Sequence, residues 1–382
     1  MNKIPLIIII ICIWFFSNTG YLIFPIFVLL FLILSFYFFK INYINKTRLL
    51  IYISLFLFIY YGVSILHIFI LSKTYFLEEL ILVVPKIIMN ILIFYYFLIF
   101  LQNEDFKVKL KIALTFSIVF SILTILIQAY FIYFENFHIS YLDIIMGREQ
   151  RIGGAAGIKG LFRLSGMYNE PGTYSIFMYP LLFSRYMINK NFDYIFILGL
   201  ISTLLTFSVQ AYVSFLIIIL AIIFKFLYDM GIKHKIQLKL FKLNIIFTVV
   251  IFILFYYFGE LIVNYFDERF LQRSDVTISV RTEALYMIFD QNILTLITGI
   301  GYNYNGYGIK LNDIGLLFTI YAHFGLLGIC FVFLLGYILF KYNYFALVLF
   351  LIILLSKLSI IHPILWIYFA LVVIKSKYII KY

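Results

Sequence analysis

The sequence predicts an all-α polytopic integral membrane protein. Hydrophobic residues make up 65% of the chain and charged residues only 12%, which leaves too little polar surface for a water-soluble globule. Apolar runs such as residues 4–16, 21–39 and 49–71 recur along the chain. Each run is apolar on every face over roughly 20 residues, enough for a helix to cross a hydrocarbon layer of about 30 Å. A transmembrane β-barrel would instead alternate with a period of two.

About 12 transmembrane helices account for these runs. The stretch 194–226 is too long for one crossing, and the segment Ser208-Val209-Gln210 at its middle, with two polar residues, predicts a tight hairpin there. The first run lacks a small-residue cleavage site and a second run follows at once, so we expect a retained anchor. We place the spans near residues 4–18, 21–39, 49–72, 79–101, 110–134, 172–188, 193–209, 210–227, 244–263, 313–340, 343–356 and 358–375.

The lysines indicate the orientation of these spans. With the N-terminus in the cytoplasm, 18 of the 29 Lys and Arg residues lie on the cytoplasmic side and 13 of the 17 acidic residues lie on the opposite side. The positive-inside rule favours this arrangement. We therefore expect one multi-pass membrane domain over residues 1–382 with both termini in the cytoplasm. The net charge of +12 is then an orientation signal and not a nucleic-acid-binding surface.

The arginines have the opposite distribution. Six of the eight fall in two long outer loops, residues 135–171 and 264–312. Loops of this length are commonly functional, and arginine binds oxyanions through two parallel hydrogen bonds. We therefore expect the outer loops to bind an anion. The six residues are Arg148, Arg151, Arg163, Arg269, Arg273 and Arg281.

The first outer loop ends in a helix-start signature, Asn169-Glu170-Pro171-Gly172. Two interpretations stay open. Glu170 is only a helix cap, or the helix N-terminus binds an anion beside Arg163 while Glu170 accepts a proton from a substrate hydroxyl.

The second outer loop also has a purely structural and a functional interpretation. Arg281 and Glu283 begin a stretch with helical periodicity that either lies solvated on the membrane surface or contributes to a cationic face. Arg269, Arg273 and Arg281 share a face if a helix continues through residues 274–280, although the β-branched run there opposes one. Both cysteines fall inside predicted spans, so we expect neither a disulfide nor a metal site.

Four segments together resemble the bacterial O-antigen and capsule repeat-unit polymerases of the O-antigen ligase and polymerase superfamily. The segment Arg163-Leu-Ser-Gly-Met-Tyr-Asn-Glu-Pro-Gly resembles an arginine, glycine and glutamate-proline signature, and residues 205–212 resemble a threonine-serine hairpin. Residues 281–285 followed by Gly299-Ile-Gly resemble the second outer loop, and residues 313–317 and 324–328 resemble the span that follows. The resemblance covers roughly residues 150 to 330.

The resemblance implies a GT-C-like membrane glycosyltransferase with two long periplasmic loops in the bacterial inner membrane. A growing glycan would pass from undecaprenyl diphosphate to a sugar hydroxyl of a lipid-linked repeat unit, with neither metal nor cofactor. The implied partners are undecaprenyl-diphosphate-linked oligosaccharide and membrane lipid, with a chain-length regulator protein left open and no nucleic acid. The candidate catalytic residues are Glu170, Arg163, Arg281 and Asp313. The candidate substrate-binding residues are Arg269, Arg273, Glu283, Tyr168, Gln210 and His323.

Two alternative functions, an O-antigen ligase and a lipid-linked oligosaccharide flippase, predict sequence features that differ from those of this chain. O-antigen ligases usually carry a histidine where this chain has Asn312-Asp313, which favours the polymerase. A lipid-linked oligosaccharide flippase should place ionisable residues at mid-membrane, whereas these spans carry few charges. His323 lies within the tenth span, where a structural histidine bonded to a neighbouring helix is expected.

Overall fold

The structure is a computed structural model that describes residues 6–10, 77–146, 150, 162–233, 283, 286–300, 315–342, 344–356, 358 and 362–379. These residues are mostly helical, and no strand occurs among them. Two of their helices, Glu104–Phe134 and Leu316–Lys341, are long and apolar enough to cross a membrane. The all-α prediction is confirmed for this part of the chain, and the two long helices are compatible with a membrane protein.

Most of the described helices follow the predicted spans in order, whereas α3 and α7 lie within the two predicted outer loops. Span 244–263 and most of the first three spans lie outside the described residues. α5 ends at Leu204 instead of continuing to residue 209, and α10 begins at Pro363 instead of residue 358. The helices are α1 (Leu77–Phe100), α2 (Glu104–Phe134), α3 (Tyr141–Met146), α4 (Pro171–Asn189), α5 (Tyr194–Leu204), α6 (Val209–Lys233), α7 (Ile293–Thr298), α8 (Leu316–Tyr342), α9 (Tyr344–Leu355) and α10 (Pro363–Ile379).

Local sequence explains where several of these helices begin. The Asn103 side chain accepts a hydrogen bond from the Asp105 N–H at 2.9 Å. Two acidic residues occupy the first turn of α2, where their negative charge interacts favourably with the helix dipole. Proline occupies the first position of both α4 and α10, where its missing N–H costs no helical hydrogen bond. The predicted helix start at Pro171 is therefore confirmed.

The chain divides into two compact units. The first comprises Met1–Thr124, Ile176–Leu200 and Val280–Tyr382, and the second comprises Ile125–Ser175 and Ile201–Ser279. In the first unit α1 packs against α10, and α8 packs against α7, α9 and α10. Gly199 allows α5 to approach α4 closely, because a Cβ at this position would lie only 2.7 Å from a methyl carbon of Leu182 in α4.

An ion pair between buried Arg185 and half-buried Asp193 fixes the connection between α4 and α5 in the first unit. Arg185 is 4% exposed, and its two terminal nitrogens each lie 2.5 Å from a carboxylate oxygen of Asp193. The Arg185 Nε donates to the Thr115 hydroxyl at 2.8 Å, which ties α2 to the same pair. Burial alone would raise the pKa of Asp193, but hydrogen bonds from Arg185 and the Phe196 N–H outweigh it and lower that pKa.

Candidate functional site

The predicted site residues fall into three groups. Arg269, Arg273, Arg281 and Asp313 lie outside the described residues. Within the described part, the second unit contains Arg163, Tyr168, Glu170 and Gln210. The first unit contains Glu283 and His323.

In the second unit, the segment before α4 meets the turn between α5 and α6. The Leu164 N–H donates to the Leu205 carbonyl at 3.3 Å. At the start of α4, a Cβ placed on Gly172 would lie 3.9 Å from the Ser208 hydroxyl oxygen. A break in the helix is present close to the predicted hairpin at residues 208–210, because α5 ends at Leu204 and α6 already begins at Val209, so the turn comprises residues 205–208. Two of the four segments that carry the resemblance are therefore neighbours.

Glu170 occupies the N-cap position of α4. Its carbonyl accepts the N–H groups of Thr173 and Tyr174 at 3.0 and 3.3 Å, which are the first hydrogen bonds of the helix. The Glu170 and Arg163 side chains are both half-buried. The backbone of Glu170 therefore begins the helix, and the choice between a cap and a base for its carboxylate stays open.

Tyr168 is buried next to these residues. Its ring is 1% exposed and packs edge-on against the Tyr174 ring at a centroid distance of 5.5 Å. The Tyr174 hydroxyl in turn shares a 2.8 Å hydrogen bond with Ser202. Both rings therefore serve packing in the described structure, and neither presents an open face on which a sugar could stack.

Gln210 lies in the first turn of α6. Its side-chain Nε2 is shielded from solvent and has no hydrogen-bond partner among the described residues. A buried donor without a partner costs about 1–3 kcal/mol, so an oxygen of a bound ligand would be stabilising there. This arrangement is compatible with the predicted role of Gln210 in substrate binding.

Two glutamines that the sequence interpretation missed hold the segment between Arg163 and Glu170. Gln128 lies in α2 and is 1% exposed. Its Oε1 accepts the backbone N–H groups of Ser165 and Gly166 at 2.9 and 2.8 Å, and its Nε2 donates to the Ile139 carbonyl at 3.2 Å. A single amide side chain therefore satisfies three backbone groups of irregular chain.

Gln150 completes this arrangement. It is 5% exposed, and its Nε2 lies 2.6 Å from the Gly166 carbonyl, 2.8 Å from the Tyr168 carbonyl and 2.6 Å from the Ser165 hydroxyl. Its Oε1 is 3.5 Å from the Gln128 Nε2. We call Gln128 and Gln150 together the glutamine clamp.

In the first unit, α8 is interrupted beside α7. Gly325 has φ 56° and ψ −143°, values outside the helical region. A Cβ on Gly325 would lie 2.3 Å from the Ile297 carbonyl oxygen, and one on Gly299 would lie 2.4 Å from the His323 carbonyl oxygen. The Ile300 N–H donates to the Ala322 carbonyl at 2.7 Å. We call this contact between two backbones the Gly299–Gly325 crossing.

The crossing determines the surroundings of the remaining candidates. His323 is 5% exposed and lies two residues before the interruption of α8. Its burial agrees with the expected structural histidine, and substrate binding by its ring stays a prediction. Glu283 is helical and exposed, and farther along that stretch Ile288 is buried with Ile300 and Ala322. The stretch therefore packs onto α8.

Comparisons with known proteins add no family to these observations. No protein-family model, no curated protein and no solved structure matches the chain.

Proposed function

We propose that this chain joins undecaprenyl-diphosphate-linked oligosaccharide repeat units into O-antigen or capsular polysaccharide at the periplasmic face of the bacterial inner membrane. The observation that carries the proposal is the contact of residues 163–172 with the α5–α6 turn. The resemblance assigns both segments to one site, although α4 and α5 separate them in sequence. The proposal includes about 12 spans and cytoplasmic termini.

The proposed chemistry is a glycosyl transfer. The acceptor sugar hydroxyl attacks the anomeric carbon of the growing glycan, the bond to the diphosphate breaks, and undecaprenyl diphosphate leaves. Glu170 takes the hydroxyl proton, with Asp313 or Glu283 as the alternative base. Arg163 and Arg281 stabilise the negative charge that develops on the diphosphate, which arginine can do through bidentate hydrogen bonds.

The remaining candidates bind the substrate around the reacting atoms. Arg269 and Arg273 contribute further positive charge toward the two phosphates. Gln210 donates its buried amide hydrogens to a sugar or phosphate oxygen, which supplies the acceptor that the described residues lack.

Gene deletion and sizing of the surface polysaccharide test the proposal in the native host. We expect the deletion strain to carry single repeat units on its lipid core, and a plasmid copy of the gene to restore long polymer. A naked core would indicate a ligase or a flippase instead, and an unchanged polymer profile would contradict all three functions.

A lipid-linked oligosaccharide flippase is the second candidate, because α8 is interrupted at Gly325. Transporters commonly bind their substrates at discontinuous helices. Purified protein in detergent, where no bilayer separates two compartments, distinguishes the two functions. A polymerase forms glycosidic bonds between lipid-linked repeat units under these conditions, whereas a flippase leaves the repeat units unjoined.

A further inference from the structure

The glutamine clamp lies at the level where α2 approaches its end. Gln128 is six residues before Phe134, the last residue of α2, or about 9 Å along the helix axis at 1.5 Å per residue. A buried amide in an apolar helix forms hydrogen bonds with neighbouring segments because hydrocarbon offers it none. Here its partners are backbone groups of the segment that precedes α4.

The hydrogen-bond pattern fixes the orientation of both amides. Backbone N–H groups only donate, so the Oε1 of Gln128 must face Ser165 and Gly166. Carbonyl oxygens only accept, so the Nε2 of Gln150 must face Gly166 and Tyr168. Gln128 therefore acts on this segment as an acceptor, and Gln150 acts on it as a donor.

The held segment lies between the two charged residues to which the proposed function assigns the chemistry. Arg163 precedes Ser165 by two residues, and Glu170 follows Tyr168 by two residues. The segment has no regular secondary structure of its own, and Gly166 has a φ of 56°, a conformation that glycine adopts without strain. The side-chain amides of the clamp therefore replace the hydrogen bonds that a helix or a strand would provide.

We propose that Gln128 and Gln150 are positioning residues, which hold the segment 165–168 so that Arg163 and Glu170 are presented to the substrate in a fixed arrangement. The reaction in this inference rests on the proposed function, whereas the immobilisation of the segment does not. Misplacement of a reacting group by about 1 Å costs on the order of a hundredfold in rate, so a loosened segment lowers kcat.

Spin labelling tests the immobilisation without any assay of activity. In a chain carrying Cys12→Ala and Cys330→Ala, a nitroxide is attached through Asn169→Cys, at an exposed position next to the clamp. A second label at exposed Asn191, through Asn191→Cys, reports on the α4–α5 connection. We expect Gln128→Met and Gln150→Met to increase label mobility at position 169 and to leave it unchanged at position 191. Gln102→Met, at an exposed glutamine, is the matched control and changes neither.

The glutamate variants show whether hydrogen bonding by the two amides, and not only the packing of their side chains, holds the segment. Gln128→Glu keeps an oxygen acceptor for both N–H groups, so its label at position 169 stays close to the parent in mobility. Gln150→Glu loses the amide donor that faces two carbonyls, so its label becomes mobile although the side chain is similar in size. Unchanged mobility at position 169 in both methionine variants, or equal gains at positions 169 and 191, would overturn the inference.

Kinetics of the purified protein with lipid-linked repeat units test the catalytic consequence. We expect Gln150→Met to lower kcat about a hundredfold with KM changed by less than about threefold, and Gln128→Glu to recover most of the rate that Gln128→Met loses. Unchanged kcat in the methionine variants would overturn the positioning role. Absence of polymer from the parent protein would instead refute the proposed function, and the labels would still decide whether the clamp holds the segment.

Discussion

The glutamine clamp and the Gly299–Gly325 crossing solve the same physical problem by opposite means. Each fixes a segment of irregular backbone against a long apolar helix: the clamp against the part of α2 that belongs to the second unit, and the crossing against α8 in the first. The clamp uses buried amide side chains as hydrogen-bond partners. The crossing uses the absence of side chains, so that two backbones approach closely and one N–H reaches a helical carbonyl directly.

The comparison predicts different tolerance to substitution. A clamp built from side chains keeps part of its function when the replacement preserves an acceptor or a donor. A crossing built from backbone accepts no Cβ, because the nearest atoms are backbone atoms that belong to another segment. Polar groups and tight packing are both ways to accommodate irregular chain where water is excluded.

The largest effect is expected at the crossing. Gly325→Ala places a methyl group 2.3 Å from the Ile297 carbonyl oxygen at a φ of 56°, which only glycine adopts without strain. We expect a loss of about 4 kcal/mol or more in the free energy of unfolding, which abolishes recovery of folded protein. Thermal unfolding and size-exclusion chromatography in detergent measure both quantities.

The control for this prediction is Gly336→Ala in the same helix. There the nearest atom to a new Cβ is a Leu347 methyl carbon at 3.7 Å, an ordinary contact. Alanine is the better helix former, so we expect stabilisation by up to about 1 kcal/mol. Similar behaviour of the two variants would show that the crossing does not determine the fold of α8.

The Arg185–Asp193 ion pair is a charged contact to set beside the clamp and the crossing. Asp193→Asn leaves the buried guanidinium of Arg185 without its carboxylate, which costs about 1.5–3 kcal/mol because Asp193 is half-buried. Thermal unfolding should show this loss, whereas Asp143→Asn at an exposed position should change stability by less than about 0.5 kcal/mol. Equal effects at the two positions would contradict a structural role for the pair.

The same pair makes a prediction about pH. The pKa of Asp193 is lowered in the folded protein relative to the ordinary value of 3.8. The stability that the pair contributes is therefore present above about pH 4 and is lost as the pH falls through the folded pKa. We expect Asp193→Asn to lack this component of acid destabilisation, and identical pH profiles for the two proteins would contradict it.

A smaller loss of stability is expected at the clamp. Gln128→Met conserves volume but leaves two buried N–H groups without an acceptor, which costs about 1–3 kcal/mol. Thermal unfolding beside Gln102→Met measures the difference, and equal stability of Gln128→Met and the parent would contradict the assigned hydrogen bonds.

Parts of this arrangement could be predicted from local sequence. The start of α4 follows from Asn169-Glu170-Pro171-Gly172, because proline at the first helical position is a local signal. The break between α5 and α6 follows from polar residues inside an apolar stretch that is long for one crossing. The contact between these two segments could be predicted only through the order of the motifs.

The clamp and the crossing could not be predicted, because their partners are distant in sequence. Gln128 bonds to N–H groups 37 and 38 residues away, and a single glutamine in an apolar helix gives no indication of which segment it holds. In the sequence, Gly325 cannot be distinguished from any other glycine of an apolar helix, because its close contact with Gly299 forms only in the folded chain. The signal that could have identified Gln128 was its polarity near the end of an apolar run.

The most direct test of the proposed polymerase is the replacement of Glu170 by glutamine. Glutamine keeps the size of the side chain and the backbone cap of α4 but cannot take up a proton near neutral pH. The assay is conversion of purified lipid-linked repeat units to polymer by protein reconstituted in lipid, with thermal stability measured in parallel. We expect wild-type protein to form polymer, and Glu170→Gln to be slower by about two to four orders of magnitude at unchanged stability. Polymer formation by Glu170→Gln at the wild-type rate would contradict the assignment of Glu170 as the base, and no polymer from the wild-type protein would contradict the proposed function itself.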